Sequence, residues 1–393
     1  MEPRTRSSLS GAQRIVLKIG SAVVTREDAK GLDSSVLESI AGEVAELRAS
    51  GHEVVIVSSG AIALGRQELG ATTPPADMAS RQAFAAIGQS HLMRAWREAF
   101  QAHDCTVAQV LLTEDDFRNR KRYLNARHAM QAMLSLGAVP VVNENDTVAI
   151  DEIKFGDNDR LSGQVAVLLS ADVLVMLSVV DGLHSLDPTE HPDAERIRVV
   201  ERFTPELEAL ASEGVSSVGT GGMTSKLSAA RIAGRSGIPT VVAGGRRRGV
   251  VKAVLSGEDI GTFFGDCADR VKARKHWIAF TLKPAGDIRV DEGAAMALEK
   301  RGKSLLPRGI LGIEGSWDVG AAVRIVTVDG QEVARGLSRY SSADVERIAG
   351  KRSDAIVEVL GHWFGDAVIH RDDMVLMGAE WMVDTDQSIP KTS

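Results

Sequence analysis

The chain has 393 residues, 44% hydrophobic and 25% charged, enough for two or three globular domains of ordinary composition. A net charge of −7 excludes a global basic field for nucleic acid, and two cysteines, Cys105 and Cys267, exclude a disulfide framework. No run reaches the ~18 apolar residues of a membrane helix, so the expected setting is a reducing cytoplasm with no membrane contact.

The opening MEPRTRSSLSGAQR has basic and small residues but no apolar run behind them, so residues 1–13 are expected to be a disordered tail, not a leader. Strand-like runs then alternate with helix-like ones as far as about Val250. The strands are expected at Ile15–Ile19, Val54–Val57, Val107–Leu112, Val139–Val142, Val173–Val180 and Thr240–Val242. Several are unbroken Val/Ile/Leu, as required when both faces of a parallel sheet are covered. Between the first two, Val36, Leu37, Ile40, Val44 and Leu47 share one helical face, with Ser35 and Glu38 spaced as a capping box and Gly51 as the stop. This grammar predicts an α/β three-layer sandwich with a largely parallel sheet over 14–265. A charged stretch, 266–277, reads as a linker. Beyond it, 278–370 is expected to form a small β-rich domain, with a helix at Glu292–Arg301 and a hairpin turning at Asp329-Gly330. Residues 371–393 are expected to be a loose tail.

Four stretches of the larger domain carry chemistry. In IVLKIGSAVV a buried strand delivers Lys18 to a small-residue turn, where lysine and backbone N–H groups can meet phosphate oxygens together. In GHEVVIVSSGAIALG a strand runs through Ser58, Ser59 and Gly60 into a helix, whose N-terminus attracts anions and whose glycine permits close approach. VGTGGMTSKLSAARIAG places a glycine-rich turn before a helix carrying Lys226. It matches neither GxxxxGK[ST] nor GxGxxG, yet it has the flexible backbone, helix dipole and lysine of a phosphate site. The fourth, VVNENDTVAIDEIKFGDNDRLS, packs six acids and three asparagines between a strand and a helix start. Asn143, Asp146 and Asn158 there can receive an α-amino and α-carboxylate group, and Asp159 can cap the helix or orient the two lysines. Glu152 and Asp157 read equally well as solvated loop acids. The basic runs Arg246–Arg248 and Arg118–Arg122 read as solvated or interface faces, and nothing among the nine histidines suggests a metal or triad. Acid and amide groups for an amino acid, with lysines for a nucleotide, point to phosphoryl transfer onto a small amino acid.

In the same order, VLKIGSAVV, VVIVSSGAIALGR, LNARHAM, PVVNENDTVAIDEIKFGDNDRLS and GTGGMTSKLSAARIA resemble segments of the amino acid kinase family, and within it of the branch that phosphorylates the γ-carboxylate of glutamate. The resemblance covers roughly Arg14 to Phe264. VDEGAAMALEKRGKSLLPRGI and VARGLSRYSSADVERIAG are similar to a PUA domain. The resemblance implies ATP, with Mg²⁺ carried mainly by the nucleotide, and no protein-bound metal. It implies Lys18, Lys226 and Asp159 as the catalytic set, and Ser59, Gly60, Asn143, Asp146 and Asn158 around glutamate. Around ATP it implies Lys18, Ser178, Val179, Thr220, Gly221, Gly222, Met223, Thr224, Ser225 and Lys226. It further implies proline as a feedback inhibitor, a glutamyl phosphate reductase as partner and a homo-oligomer. One departure stands out. The family often has an acid after the strand-end Ser/Thr, whereas here Val179 follows Ser178, the acid arrives only at Asp181, and His184 replaces the usual tyrosine, so base or sugar recognition would rest on backbone groups. The acceptor can instead be that of a sibling kinase, acetylglutamate or aspartate. An RNA role for the small domain is disfavoured, because Lys275–Ser393 carries 15 Lys+Arg against 18 Asp+Glu. A local patch of Lys300, Arg301, Lys303 and Arg308 remains within it.

Overall fold

A computed structural model of the chain describes residues 5–26, 31–71, 73, 77–149, 157–186, 191, 193–208, 222–265, 282 and 284–377. The chain divides into two compact units, Met1–Arg270 and Val271–Ser393.

The first unit is built on strands β1 (Arg14–Ile19), β2 (Glu53–Ser58), β3 (Val107–Leu112), β4 (Val139–Glu144), β5 (Val173–Ser178), β6 (Val199–Val200), β7 (Thr240–Gly244) and β8 (Thr262–Phe264). They form one sheet in the order β3-β4-β2-β1-β5-β7-β8-β6, parallel throughout except where β8 runs antiparallel to β7. β1 lies inside the sheet, registered with Val57 on β2 and Met176 on β5 at Lys18. Alternation sends Leu17 and Ile19 to one face and Val16 to the other. The first face is covered by the helices Ser34–Ala49, Met78–Gln101 and Val250–Leu255, the second by Arg120–Ser135, Asp157–Leu169 and Met223–Arg235. The result is the expected three-layer sandwich, with an apolar core on each side of the sheet.

Two close helix contacts set the geometry that the site uses. A Cβ on Gly88 would stand 1.8 Å from the Ala61 carbonyl oxygen, and one on Gly65 would stand 1.9 Å from that of Phe84, so the helices Ala61–Glu68 and Met78–Gln101 touch backbone to backbone. On the other face, a Cβ on Gly163 would lie 2.8 Å from the Ala229 carbonyl, so the Asp157–Leu169 and Met223–Arg235 helices are similarly close.

Several expectations need correction. The N-terminal stretch is not a loose tail from residue 5 onward. Arg6 fixes it by donating to the carbonyls of Ile260 and Gly261, and Leu9 is buried in the core, because a guanidinium has five donors to satisfy a cluster of loop carbonyls. The first long helix starts one residue before Ser35 and is capped by Asp33, whose carboxylate accepts from the N–H groups of Ser35 and Val36. β5 stops at Ser178, two residues short of Val180.

The second unit is a five-stranded sheet of β9 (Gly286–Val290), β10 (Ile310–Gly315), β11 (Ala322–Val326), β12 (Glu332–Leu337) and β13 (Met374–Leu376), in the order β10-β9-β11-β12-β13. Only β9 and β11 run parallel. The helix Glu292–Arg301 is present and is capped by Asp291. The expected hairpin joins β11 to β12, but its loop spans Thr327–Gln331, with Gly330 at φ 82°. β13 extends this unit past residue 370, because Met374 and Val375 are core residues that pair with β12. The expected linker 266–277 lies outside the described residues.

Candidate active site

Lys18 occupies the next-to-last position of β1 and, by alternation from Val16, faces the layer that holds the Asp157–Leu169 and Met223–Arg235 helices. Asp159 sits in the first turn of one of these helices and Lys226 in the first turn of the other. The Lys18 ammonium pairs with Asp159 Oδ1, and the Lys226 ammonium reaches Asp159 Oδ2 at 3.3 Å. The Ser225 hydroxyl donates to the same Oδ2. Lys18 is 5% exposed, Lys226 4% and Asp159 1%. Burial by itself would raise the Asp159 carboxyl, but the two ammonium groups and the Ser225 hydroxyl outweigh it and hold the group below its ordinary value. Lys226 is pushed down, chiefly by burial and further by Lys18, against the pull of Asp159. One carboxylate between two ammonium groups leaves one positive charge in excess, at the N-termini of two helices. That arrangement suits a polyanion.

The turn after β1 passes close to this triad. A Cβ on Gly20 would come within 3.3 Å of the Leu177 carbonyl and 3.8 Å of Lys18 Nζ. Ser178 ends β5, the neighbouring strand, and its carbonyl accepts from Gly245 N–H at 2.8 Å. Val179 is 53% exposed. Asp181 is exposed, and its carboxylate meets His184 Nε2 at 2.7 Å. Gly222 caps the Met223–Arg235 helix and its carbonyl accepts from Ser225, while Thr224 is exposed. Thr220 and Gly221 lie outside the described residues, as do Glu152 and the side chain of Asp157.

A second cluster adjoins the triad through the sequence neighbours Asn158 and Asp159. Asn158 Nδ2 donates to the Ser59 hydroxyl at 2.8 Å, to Asn143 Oδ1 at 2.9 Å and to the Ser58 carbonyl at 3.3 Å. Asn143 is buried near the C-terminal end of β4, an inner strand between β3 and β2. Gly60 takes φ 115°, a conformation a glycine adopts without strain, and starts the Ala61–Glu68 helix. Ser58, which precedes this turn, is spoken for: it is fully buried and accepts from Trp96 Nε1 at 2.9 Å. Asp146 lies in the half-buried turn that follows β4. Gln82 ties that turn to the Met78–Gln101 helix by donating to the Ala149 carbonyl at 3.3 Å.

The structure thus brings Lys18, Asp159 and Lys226 into one contact set and Ser59, Asn143 and Asn158 into another beside it. One member of the second set escaped the sequence analysis. Gln89, on the Met78–Gln101 helix, accepts from Asn143 Nδ2 at 2.7 Å. Its only signal in the sequence is its place next to Gly88, in a helix with no other mark of chemistry.

A model of the amino acid kinase family matches residues 13–244, and a PUA domain model matches 286–360. The chain belongs to the amino acid kinase family. Among amino acid kinase relatives, glutamate 5-kinase of Pelobacter propionicus is 48% identical over 93% of this chain and 98% of its own length. The glutamate 5-kinase of Geobacter sulfurreducens is 49% identical over 94% and 99%, and that of Thermus thermophilus 48% over 93% and 97%. The chain is therefore an enzyme, a kinase, built as an amino acid kinase domain followed by a PUA domain. Among the described residues, no helix is long and apolar enough to cross a membrane.

Proposed function

We propose that the chain transfers the γ-phosphoryl group of ATP to the γ-carboxylate of L-glutamate, making L-glutamyl 5-phosphate in the first step of proline biosynthesis. The observation that supports this most is the buried Lys18–Asp159–Lys226 set, one positive charge in excess, beside an Asn/Ser cluster of amino-acid-binding character. The glutamate 5-kinase names of the full-length relatives support the choice of acceptor.

A γ-carboxylate is already ionised at neutral pH, so the acceptor needs no base. The step forms a carboxylate O–P bond and breaks the bond between the γ-phosphorus and its bridging oxygen, leaving ADP. Its main obstacle is the approach of two anions, and positioning with charge stabilisation dominates such transfers. In this reading Lys18 and Lys226 shield the phosphates, and Asp159 aims the two ammonium groups without taking a proton. Thr220, Gly221, Gly222, Met223, Thr224 and Ser225 hold the nucleotide with Lys226, and Ser178 and Val179 line its adenine side. Ser59, Gly60, Asn143 and Asn158 hold glutamate, and Asp146 faces its ammonium. Mg²⁺ bound to ATP supplies further positive charge. Proline competing at the glutamate pocket, a reductase that consumes the labile acyl phosphate, a homo-oligomer and a cytoplasmic location belong to the same reading.

Glutamate-dependent ADP release, with hydroxylamine trapping the acyl phosphate as a hydroxamate, tests the proposal. Preferred turnover of acetylglutamate or aspartate would overturn it. Asp146→Ala is expected to raise the glutamate KM at least tenfold while the ATP KM changes less than threefold, as about 1.4 kcal/mol per tenfold requires for a lost ionic contact. An equal rise in both would remove Asp146 from the acceptor pocket.

A further inference from the structure

The amide groups of the acceptor cluster have their orientations fixed by one another. The Glu144 backbone N–H can only donate, and it donates to Asn143 Oδ1 at 2.9 Å. Asn143 Oδ1 also accepts from Asn158, so Asn143 must present Nδ2 to Gln89. Gln89 must then offer Oε1 to Asn143, which turns Nε2 the other way. Gln89 Nε2 is buried and has no hydrogen-bond partner among the described residues. At the opposite end of the relay, Asn158 spends Nδ2 on Ser59 and Asn143, and its Oδ1 is likewise buried without a partner among the described residues. The relay Gln89–Asn143–Asn158 therefore ends in one spare donor and one spare acceptor. Buried polar groups left over in a native fold call for a partner. A spare N–H₂ fits a carboxylate oxygen and a spare carbonyl fits an ammonium, the two groups that an amino acid carries on its α-carbon.

We propose that Gln89 is a specificity-determining residue, its Nε2 donating a hydrogen bond to the α-carboxylate of the acceptor amino acid. The inference rests on the acceptor being glutamate. Gly88 gives Gln89 its reach, because the backbone contact with Ala61 brings this turn of the helix in against the Ser58–Gly60 segment. The nearby acids cannot serve an α-carboxylate, since Glu144 at the end of β4 and Asp146 in the turn after it repel it, so a neutral donor from a different element meets the need.

The test reverses the polarity of the contact. Gln89→Glu keeps an oxygen for Asn143 Nδ2 and replaces the spare donor by an acceptor. Glutamate and its α-carboxamide analogue, isoglutamine, both keep the γ-carboxylate, and they are offered in competition, with each hydroxamate quantified. The native enzyme is expected to prefer the α-carboxylate. Gln89→Glu is expected to shift the ratio of kcat/KM values toward the α-carboxamide by about 10- to 100-fold, the span of a hydrogen bond to a charged group. Gln89→Met, which neither donates nor accepts, is expected to lower kcat/KM for glutamate with an intermediate ratio and an unchanged ATP KM. A ratio that stays within threefold of the native value in Gln89→Glu overturns the proposal and leaves Gln89 a support for Asn143 alone. Absence of glutamate turnover in the native enzyme would instead overturn the choice of acceptor. A Gln89→Glu chain that fails to fold, judged by circular dichroism, passes the decision to Gln89→Met, where an unchanged glutamate KM overturns the proposal.

Discussion

In the first unit Lys18, Lys226 and Asp159 are buried together as two cations on one carboxylate, whereas the buried polar side chains among the described residues of the second unit are neutral and hydrogen-bonded. There, Tyr340 donates its hydroxyl to the Gly365 carbonyl at 2.6 Å and accepts from Phe364 N–H at 3.0 Å. Trp317 Nε1 and the Ser338 hydroxyl both donate to the Tyr340 carbonyl. Even the first unit balances its polar groups away from the site: Glu43 is buried, and its carboxylate caps the helix Val250–Leu255 by accepting from Gly249, Val251 and Lys252. A closed neutral network contributes to folding and leaves no net charge for an anion to meet. A charge excess, by contrast, costs stability until an anion arrives, and it marks where binding energy has been reserved for a ligand.

The largest expected effect is that of Asp159→Asn. With the carboxylate gone, two buried ammonium groups face each other, and the first unit should lose about 3–5 kcal/mol in urea unfolding. Turnover should fall at least ~10³-fold as the lysines lose their aim. A variant as stable as the native chain would erase the contrast between the units. The pH dependence follows from the same group. Its folded carboxyl titrates below the ordinary 3.8, so its contribution to stability is complete above that value and is lost as pH falls through the lower folded value. Asp159→Asn should flatten that acid limb in melts taken from pH 5 downward.

Lys226→Met sharpens the comparison, because it should cut activity while leaving the Lys18–Asp159 pair in place. kcat should drop ~10²–10³-fold, and Lys18→Ala should do at least as much. Stability at pH 7, however, should hold or rise, since burial disfavours the charged form of Lys226. The sign extends to alkali. A lysine depressed in the fold is protonated more in the unfolded chain, so the native protein should gain stability as pH climbs from the folded value toward 10.5, and Lys226→Met should lack that gain. The smallest effect belongs to the second unit. Tyr340→Phe should cost about 1–3 kcal/mol by removing the hydroxyl that the Gly365 carbonyl and Phe364 N–H both use, with no change in kcat. Lost turnover there would mean that the neutral network reaches the chemistry.

Much of this was legible before any coordinates. Unbroken apolar strands predicted a covered parallel sheet, and the glycine turns around Lys18 and Lys226 pointed to phosphate. What the chain order hid was partnership. That Asp159 meets Lys226 rests on the close approach of their helices at Gly163 and Ala229, which no local pattern contains. Gln89 was invisible because a glutamine in an amphipathic helix resembles any solvated one until its amide is seen opposite Asn143. Arg6 misled in the opposite direction. Read locally it belongs to a polar tail, yet its partners include carbonyls more than 250 residues away. Local pattern reports periodicity well, but it carries no record of which carbonyls end up unmatched at the far side of a fold.

The pair Gly65 and Gly88 also bears on how substitutions in this enzyme would be interpreted. Neither residue has a side chain to offer a substrate, yet a single methyl at either would collide with a main-chain oxygen. The whole Met78–Gln101 rod would have to lift, taking with it its tether to Ala149 and the amide of Gln89. A saturation scan would therefore score two chemically mute positions among the least tolerant in the protein, and their intolerance would measure how finely the pocket is calibrated rather than what it binds.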